Sequence, residues 1–202
     1  MICPSTLARH LRGKWQKLLD IAVDAIAPLL PLQRKVVFDN FGGRGMGDDP
    51  KYIALYLKKH YPKARLIWLA ANPQEDFPEG IEPVQIYSRK ARYHLNTAKV
   101  WVDNFKSLPK PEKRTGQFYI QTWHGGILGI KQVEAQVEDR LAPAYVAAAK
   151  RDAQMTDLMY SDNDFVRNIF QTSFWYNGPV LKKNLPRLAP ILHPTEGLRE
   201  EI

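Results

Sequence analysis

From residue 35 onward the chain alternates short runs of β-branched and aromatic residues with stretches of helical periodicity. Residues 35–41, 65–70, 83–87, 100–104, 118–122 and 158–161 read as strands, and 178–181 as a last short one. Helical patterns cover 49–60, 88–98, about 130–139, 143–155 and 164–174. Asp49 reads as a helix cap, with Pro50 in the first turn. Strands separated by helices cannot close tight hairpins; each connection must cross over, which makes neighbouring strands parallel. The expected fold is therefore α/β, a doubly wound, mostly parallel Rossmann-like sheet over residues 33–192. An amphipathic helix within 1–32 precedes it, and a tail, 193–202, follows it.

The length of 202 residues suits one domain or one large lobe of a bigger protein. The only cysteine is Cys3, which excludes a disulfide framework and a cysteine metal site and fits a reducing, cytoplasmic compartment. A formal net charge of +8 favours an anionic partner. No cluster of His, Cys and Asp has metal-ligand spacing, so no metal or cofactor is expected. No Gly-x-Ser-x-Gly elbow and no nucleic-acid-binding motif is present; the charge permits nucleic acid but no motif supports it. Residues 18–32 are too short and too interrupted, by Asp20, Asp24, Pro28 and Pro31, to span a bilayer. Residues 5–28 read as a helix, and Leu7, Leu11, Trp15, Leu18, Ala22, Ile26 and, just past its end, Leu29 form one apolar stripe beside Arg9, Arg12, Lys14 and Lys17. Such a helix either lies in a membrane interface, its cations on lipid phosphates, or packs on the lobe with its cations solvated.

The chemistry-bearing stretch is Gln121-Thr122-Trp123-His124-Gly125-Gly126, directly after the apolar Phe118-Tyr119-Ile120. A strand ending this way delivers an imidazole to the carboxyl end of the sheet, where ligands bind in open α/β folds. Histidine is the side chain most easily poised to take a proton near neutral pH. A second stretch, Gly42-Gly43-Arg44-Gly45-Met46-Gly47, follows the first strand. Its spacing is not Gly-x-Gly-x-x-Gly, and Asp48 and Asp49 stand where a pyrophosphate would have to sit. It reads either as a wall for an acceptor or as a structural turn. Asp103-Asn104 ends another strand, where it can orient an imidazole or cap the next loop. Lys106, Lys110, Lys113 and Arg114 form a basic loop that either holds a phosphate or is simply solvated.

Four stretches together resemble the CDP-glycerol glycerophosphotransferases, the teichoic-acid primases and polymerases of Gram-positive walls and capsules. They are Gln121 to Gly125; Phe41 through Asp48-Asp49-Pro50-Lys51-Tyr52; Val100-Trp101-Val102-Asp103-Asn104-Phe105; and Tyr160-Ser161-Asp162-Asn163-Asp164-Phe165. Gly126-Ile127 departs from the family's Thr-Pro, and Asn184-Leu185-Pro186-Arg187-Leu188-Ala189 is a degenerate form of the stretch that leads toward the second lobe. The resemblance implies one lobe of a two-lobed GT-B-type fold, with transfer of glycerol phosphate from CDP-glycerol to a lipid-linked polyol-phosphate or glycan acceptor and release of CMP. It makes His124 the catalytic base and puts Gly43, Asp49, Asn104, Trp123, Gly125 and Arg114 around the substrate. It places the protein peripherally on the inner face of an anionic membrane, binding CDP-glycerol only with a donor lobe; a separate donor-lobe protein or a homo-oligomer is the expected protein partner. A non-catalytic membrane-associated module of that family and a basic nucleic-acid-binding domain are the alternatives.

Overall fold

The computed structural model describes residues 18–23, 25–106, 110–124 and 134–192. Seven strands form one sheet: β1 (Gln33–Asp39), β2 (Arg65–Ala70), β3 (Ile81–Gln85), β4 (Ala98–Asp103), β5 (Phe118–Gln121), β6 (Leu158–Ser161) and β7 (Val180–Lys182). Their order is β3-β2-β1-β4-β5-β6-β7, and every neighbouring pair is parallel. The chain builds outward from β1 to β3, then returns to lay β4 against the other side of β1. The carboxyl ends of β1 and β4 are thus the switch point at which doubly wound sheets open a crevice.

Both faces of the sheet are covered, which is why its central strands are almost unbroken apolar runs. Successive side chains of β1 point to opposite faces. Val36 and Phe38 join Leu66, Trp68 and Val102 under α1 (Asp48–His60), which contributes Ala54, and Phe38 stacks on Trp68 at 5.5 Å. Val37 joins Ile67, Leu69 and Trp101 on the other face, against Ala91 and Leu95 of α2 (Arg89–Thr97) and Met155 of α3 (Pro143–Met155). A third cluster seats α4 (Asp164–Ser173) on β6 through Val166, Phe170 and Met159. Ser88 caps α2 by accepting the Ala91 N–H, and Asn163 caps α4 by accepting that of Val166.

Some expectations shift. Asp49 is not the cap of α1; Gly47 holds that position, and Asp48 and Asp49 both lie in the first turn. The expected helix at 130–139 is a 3-10 segment, Glu134–Arg140, as far as the described residues go. Residues 18–23 and 25–26 are helical, and Asp20 pairs with Arg89 at 2.9 Å, so this part of the amino-terminal helix rests on α2. Its stripe nevertheless faces away from the lobe: Leu18, Ile26 and Leu29 are exposed. Its basic residues lie outside the described part.

At the amino end of the sheet, Lys35 and His94 are buried together. The Lys35 ammonium lies 3.1 Å from His94 Nδ1 and 2.5 Å from Thr97 Oγ1. Burial, then the neighbouring Lys35 charge, pushes the imidazole down to about 4 from its ordinary 6.5. A base whose folded pKa is depressed contributes stability above its unfolded pKa and loses it as pH falls through the folded one. Acidification from about 6.5 to about 4 should therefore cost the protein on the order of 2–3 kcal/mol through this residue. Urea unfolding of wild type and His94→Gln across that range checks it. The wild-type curve should fall more steeply, and parallel curves would remove His94 as the cause.

Candidate active site

The carboxyl ends of β4 and β5 run side by side, with the Thr122 N–H donating to the Asp103 carbonyl at 2.8 Å. The chain then turns sharply. The Trp123 N–H folds back onto Gln121 Oε1 at 3.0 Å, and Trp123 takes a left-handed φ of +57°. That turn brings His124 over the end of β4, where its Nδ1 lies 2.5 Å from the Asn104 carbonyl oxygen. A carbonyl only accepts, so Nδ1 carries the hydrogen and the neutral ring keeps its lone pair on Nε2. This is the tautomer a proton acceptor requires. The imidazole sits among Trp123, Phe41 and Phe105, at ring-centre distances of 4.4, 4.7 and 5.6 Å. Phe41 and Asp48, like Trp123, are non-glycine residues at positive φ. Left-handed backbone of this kind is costly and gathers where a site's geometry needs it.

His124 opens onto a cleft of about 140 Å³, walled by Thr122, Trp123, Tyr160, Ser161, Asn163 and Arg187. Ser161 and Asn163 come from the β6–α4 junction, so strand ends and a helix start converge on one rim.

Asn104 is fully buried, and its side chain does not touch the imidazole. Its Oδ1 accepts the Phe41 N–H at 2.9 Å, while its Nδ2 donates to Asn40 Oδ1 and Asp48 Oδ2, both at 2.8 Å. Asp103 caps the following turn, accepting the Phe105 N–H at 2.8 Å. Asp49 is wholly buried; burial raises its carboxyl to about 6, and Arg187 opposes that rise. The Arg187 guanidinium reaches Asp48 Oδ1 at 2.7 Å and Asp49 Oδ2 at 2.8 Å, and its backbone N–H donates to Asp49 Oδ1 at 2.8 Å. The two carboxylates at the start of α1 are therefore compensated rather than bare. Sequence reasoning passed over Arg187 because it lies in the degenerate 184–189 stretch. The available signal was the pair Asp48-Asp49 beside an apolar strand, which demands a cation from somewhere.

Gly43 is held as a structural turn. Its N–H donates to Asp39 Oδ1 at 2.7 Å, its carbonyl accepts from Ala71 at 2.8 Å, and at φ +89° a Cβ would meet the Ala71 nitrogen at 2.8 Å. Arg114 is displaced from the site altogether. Its guanidinium donates to the Leu30 and Asn96 carbonyls, at 2.9 and 2.8 Å, beside the amino end of β4. Its loop neighbours are also engaged: Lys113 with Asp157, Lys106 with Glu134 at 2.6 Å, and Lys110 with Asp103 and Asp152. The basic loop is thus neither a phosphate clamp nor simply solvated; it staples the lobe. Gly125 lies outside the described residues. Among the described residues no group of three His, Cys, Asp or Glu could hold a metal, and no helix is long and apolar enough to cross a membrane.

The sequence model for CDP-Glycerol:Poly(glycerophosphate) glycerophosphotransferase matches residues 25–198. The teichoic acid poly(glycerol phosphate) polymerase of Staphylococcus epidermidis is 32% identical over 159 residues, which cover 76% of this chain and 22% of that protein. Its Bacillus subtilis counterpart is 28% identical over 174 residues, covering 80% and 22%. The solved wall teichoic acid polymerase TagF superposes with a TM-score of 0.77 at 25% identity, covering 98% of this chain and 52% of that one. The chain spans under a quarter of the length of these two curated relatives and about half of the solved one.

Proposed function

The chain belongs to the CDP-glycerol:poly(glycerophosphate) glycerophosphotransferase family, and on that premise we propose that it forms the acceptor-side lobe of a glycerophosphotransferase of wall or capsular polymer synthesis. The observation that carries this reading is His124, held at the switch-point edge of the sheet with its lone pair on Nε2. An acceptor hydroxyl bound in the cleft gives its proton to that nitrogen while its oxygen attacks the glycerol-bearing phosphorus of CDP-glycerol. The phosphorus–oxygen bond to CMP breaks, and CMP leaves with the electron pair. Phosphoryl transfer of this kind is governed by positioning and charge stabilisation. Trp123 lies against the imidazole at a ring-centre distance of 4.4 Å and holds its face.

The donor phosphates need cationic partners, and among the described residues lining this cleft the one Lys or Arg, Arg187, is tied to Asp48 and Asp49. CDP-glycerol therefore binds with a donor lobe facing this one. The test is CMP release from CDP-glycerol with a polyol-phosphate acceptor and a donor lobe from a family member. Release that depends on all three components supports the reading. No release with every component folded would favour a non-catalytic module.

The same reading places the lobe on the inner face of an anionic membrane, because the amino-terminal helix turns Leu18, Ile26 and Leu29 to solvent. The protein should sediment with anionic vesicles but not neutral ones, at about 1 kcal/mol per basic residue near the surface, fading with salt. Binding that survives deletion of residues 1–30 would rule the helix out as the anchor.

A further inference from the structure

We propose that Arg187 and Asp48 are positioning residues for His124, acting through Asn104. The proposal rests on the reading of His124 as the base, and its geometry is a continuous set of contacts. The imidazole is oriented by a main-chain carbonyl, that of Asn104. A carbonyl orients a ring only as firmly as its own peptide is held. The Asn104 side chain supplies that hold, since it makes three hydrogen bonds, two to the adjacent Asn40 and Phe41 just past β1 and one to Asp48 in the first turn of α1. It is buried, so no water replaces a lost partner. Through Phe41 the same amide also sets the ring that lies 4.7 Å from the imidazole.

Asp48 carries this support onward. One carboxylate oxygen accepts from Asn104, and the other accepts from Arg187, 139 residues away in the chain. Asp48 adopts φ +51° to do so, a strained backbone for a residue with a side chain. Asp49 anchors the same guanidinium and the Arg187 backbone N–H. The base thus has its tautomer and direction only when the segment carrying Arg187 is seated on the first turn of α1. Within a two-lobed enzyme, this would link that segment to the competence of the base.

The test reads His124 directly. Nitrogen-15 spectra of histidine-labelled protein report which imidazole nitrogen carries the hydrogen. Wild type should show the Nδ1–H form. The double variant Arg187→Gln with Asp49→Asn removes the guanidinium together with the buried carboxylate it pairs with, so Asp49 is not left as an unpaired buried charge, while Asp48 loses its Arg187 contact. In it the Nε2–H form should gain about fivefold, roughly the worth of one net hydrogen bond. Arg187→Lys, which keeps the charge but not the planar fork, should move in the same direction by less. An unchanged tautomer ratio in the folded double variant overturns the proposal. Should that variant not fold, an unchanged ratio in Arg187→Lys does so. The measurement needs no CDP-glycerol, so a shifted tautomer alongside absent transfer would locate the failure in the proposed reaction and not in the positioning.

Discussion

His124→Asn should lower CMP release by about 10²–10⁴-fold when the lobe is assayed with CDP-glycerol, an acceptor and a donor lobe. Asparagine can occupy the same turn and still donate to the Asn104 carbonyl, so the local structure should survive. What it lacks is a nitrogen able to accept a proton near neutral pH. The loss should fall on kcat, with KM for the acceptor nearly unchanged, because the interaction removed belongs to the transition state. Three rings surround the imidazole, and the residue before it, Trp123, takes a left-handed φ. Equal turnover by the two folded proteins would remove His124 from the chemistry.

The second large effect lies beneath the site. Lys110 is buried, with its ammonium 2.7 Å from Asp103, 3.0 Å from Asp152 and 2.5 Å from the Tyr119 hydroxyl. Burial alone would depress its pKa; the surrounding carboxylates instead hold it well above the ordinary value. Asp103 is raised to about 7, by burial first, against the pull of Lys110. Lys110→Ala leaves two carboxylates buried without their cation, and breaking such a pair costs about 3–5 kcal/mol. Urea unfolding should show that loss. The sign of its pH dependence follows from Asp103: an acid whose folded pKa is raised loses stability as pH climbs toward that value. Without Lys110 its pKa goes higher still, so the deficit should be larger at about pH 8 than at about pH 5. Adding Asp103→Asn and Asp152→Asn should recover much of it. A single-variant loss under about 1 kcal/mol would mean that water reaches the network and screens it.

These two results concern residues that the sequence showed with unequal clarity. His124 was visible because its context is local: an apolar strand, then Trp-His-Gly-Gly. The strands 65–70 and 158–161 and the helix 143–155 were likewise readable residue for residue, since period, β-branching and a leading proline act over a few positions. Asp49 was misread as a cap for a related reason. An aspartate at a helix start has a strong local precedent, and its actual partner comes from the far end of the chain.

The basic loop shows the boundary most plainly. Its composition said only that Lys106, Lys110, Lys113 and Arg114 carry charge. Whether a cation is solvated, clamps a phosphate or is buried against a carboxylate depends on which elements the sheet order brings beside it. Order β3-β2-β1-β4-β5-β6-β7 puts the β4–β5 loop against α3 and the start of β6, where Asp152 and Asp157 wait. It also puts the carboxyl ends of β1 and β4 side by side, so that Asn40, Asn104 and Asp48 meet and Arg187 can close on them. The sequence by itself determined that this chain makes a doubly wound parallel sheet with a histidine at its carboxyl rim, because hydrophobic period and turn chemistry are local. Only the tertiary structure decided which charges face which, and which carbonyl meets the ring of that histidine. Burial and pairing are properties of residues far apart in the chain that the fold brings together.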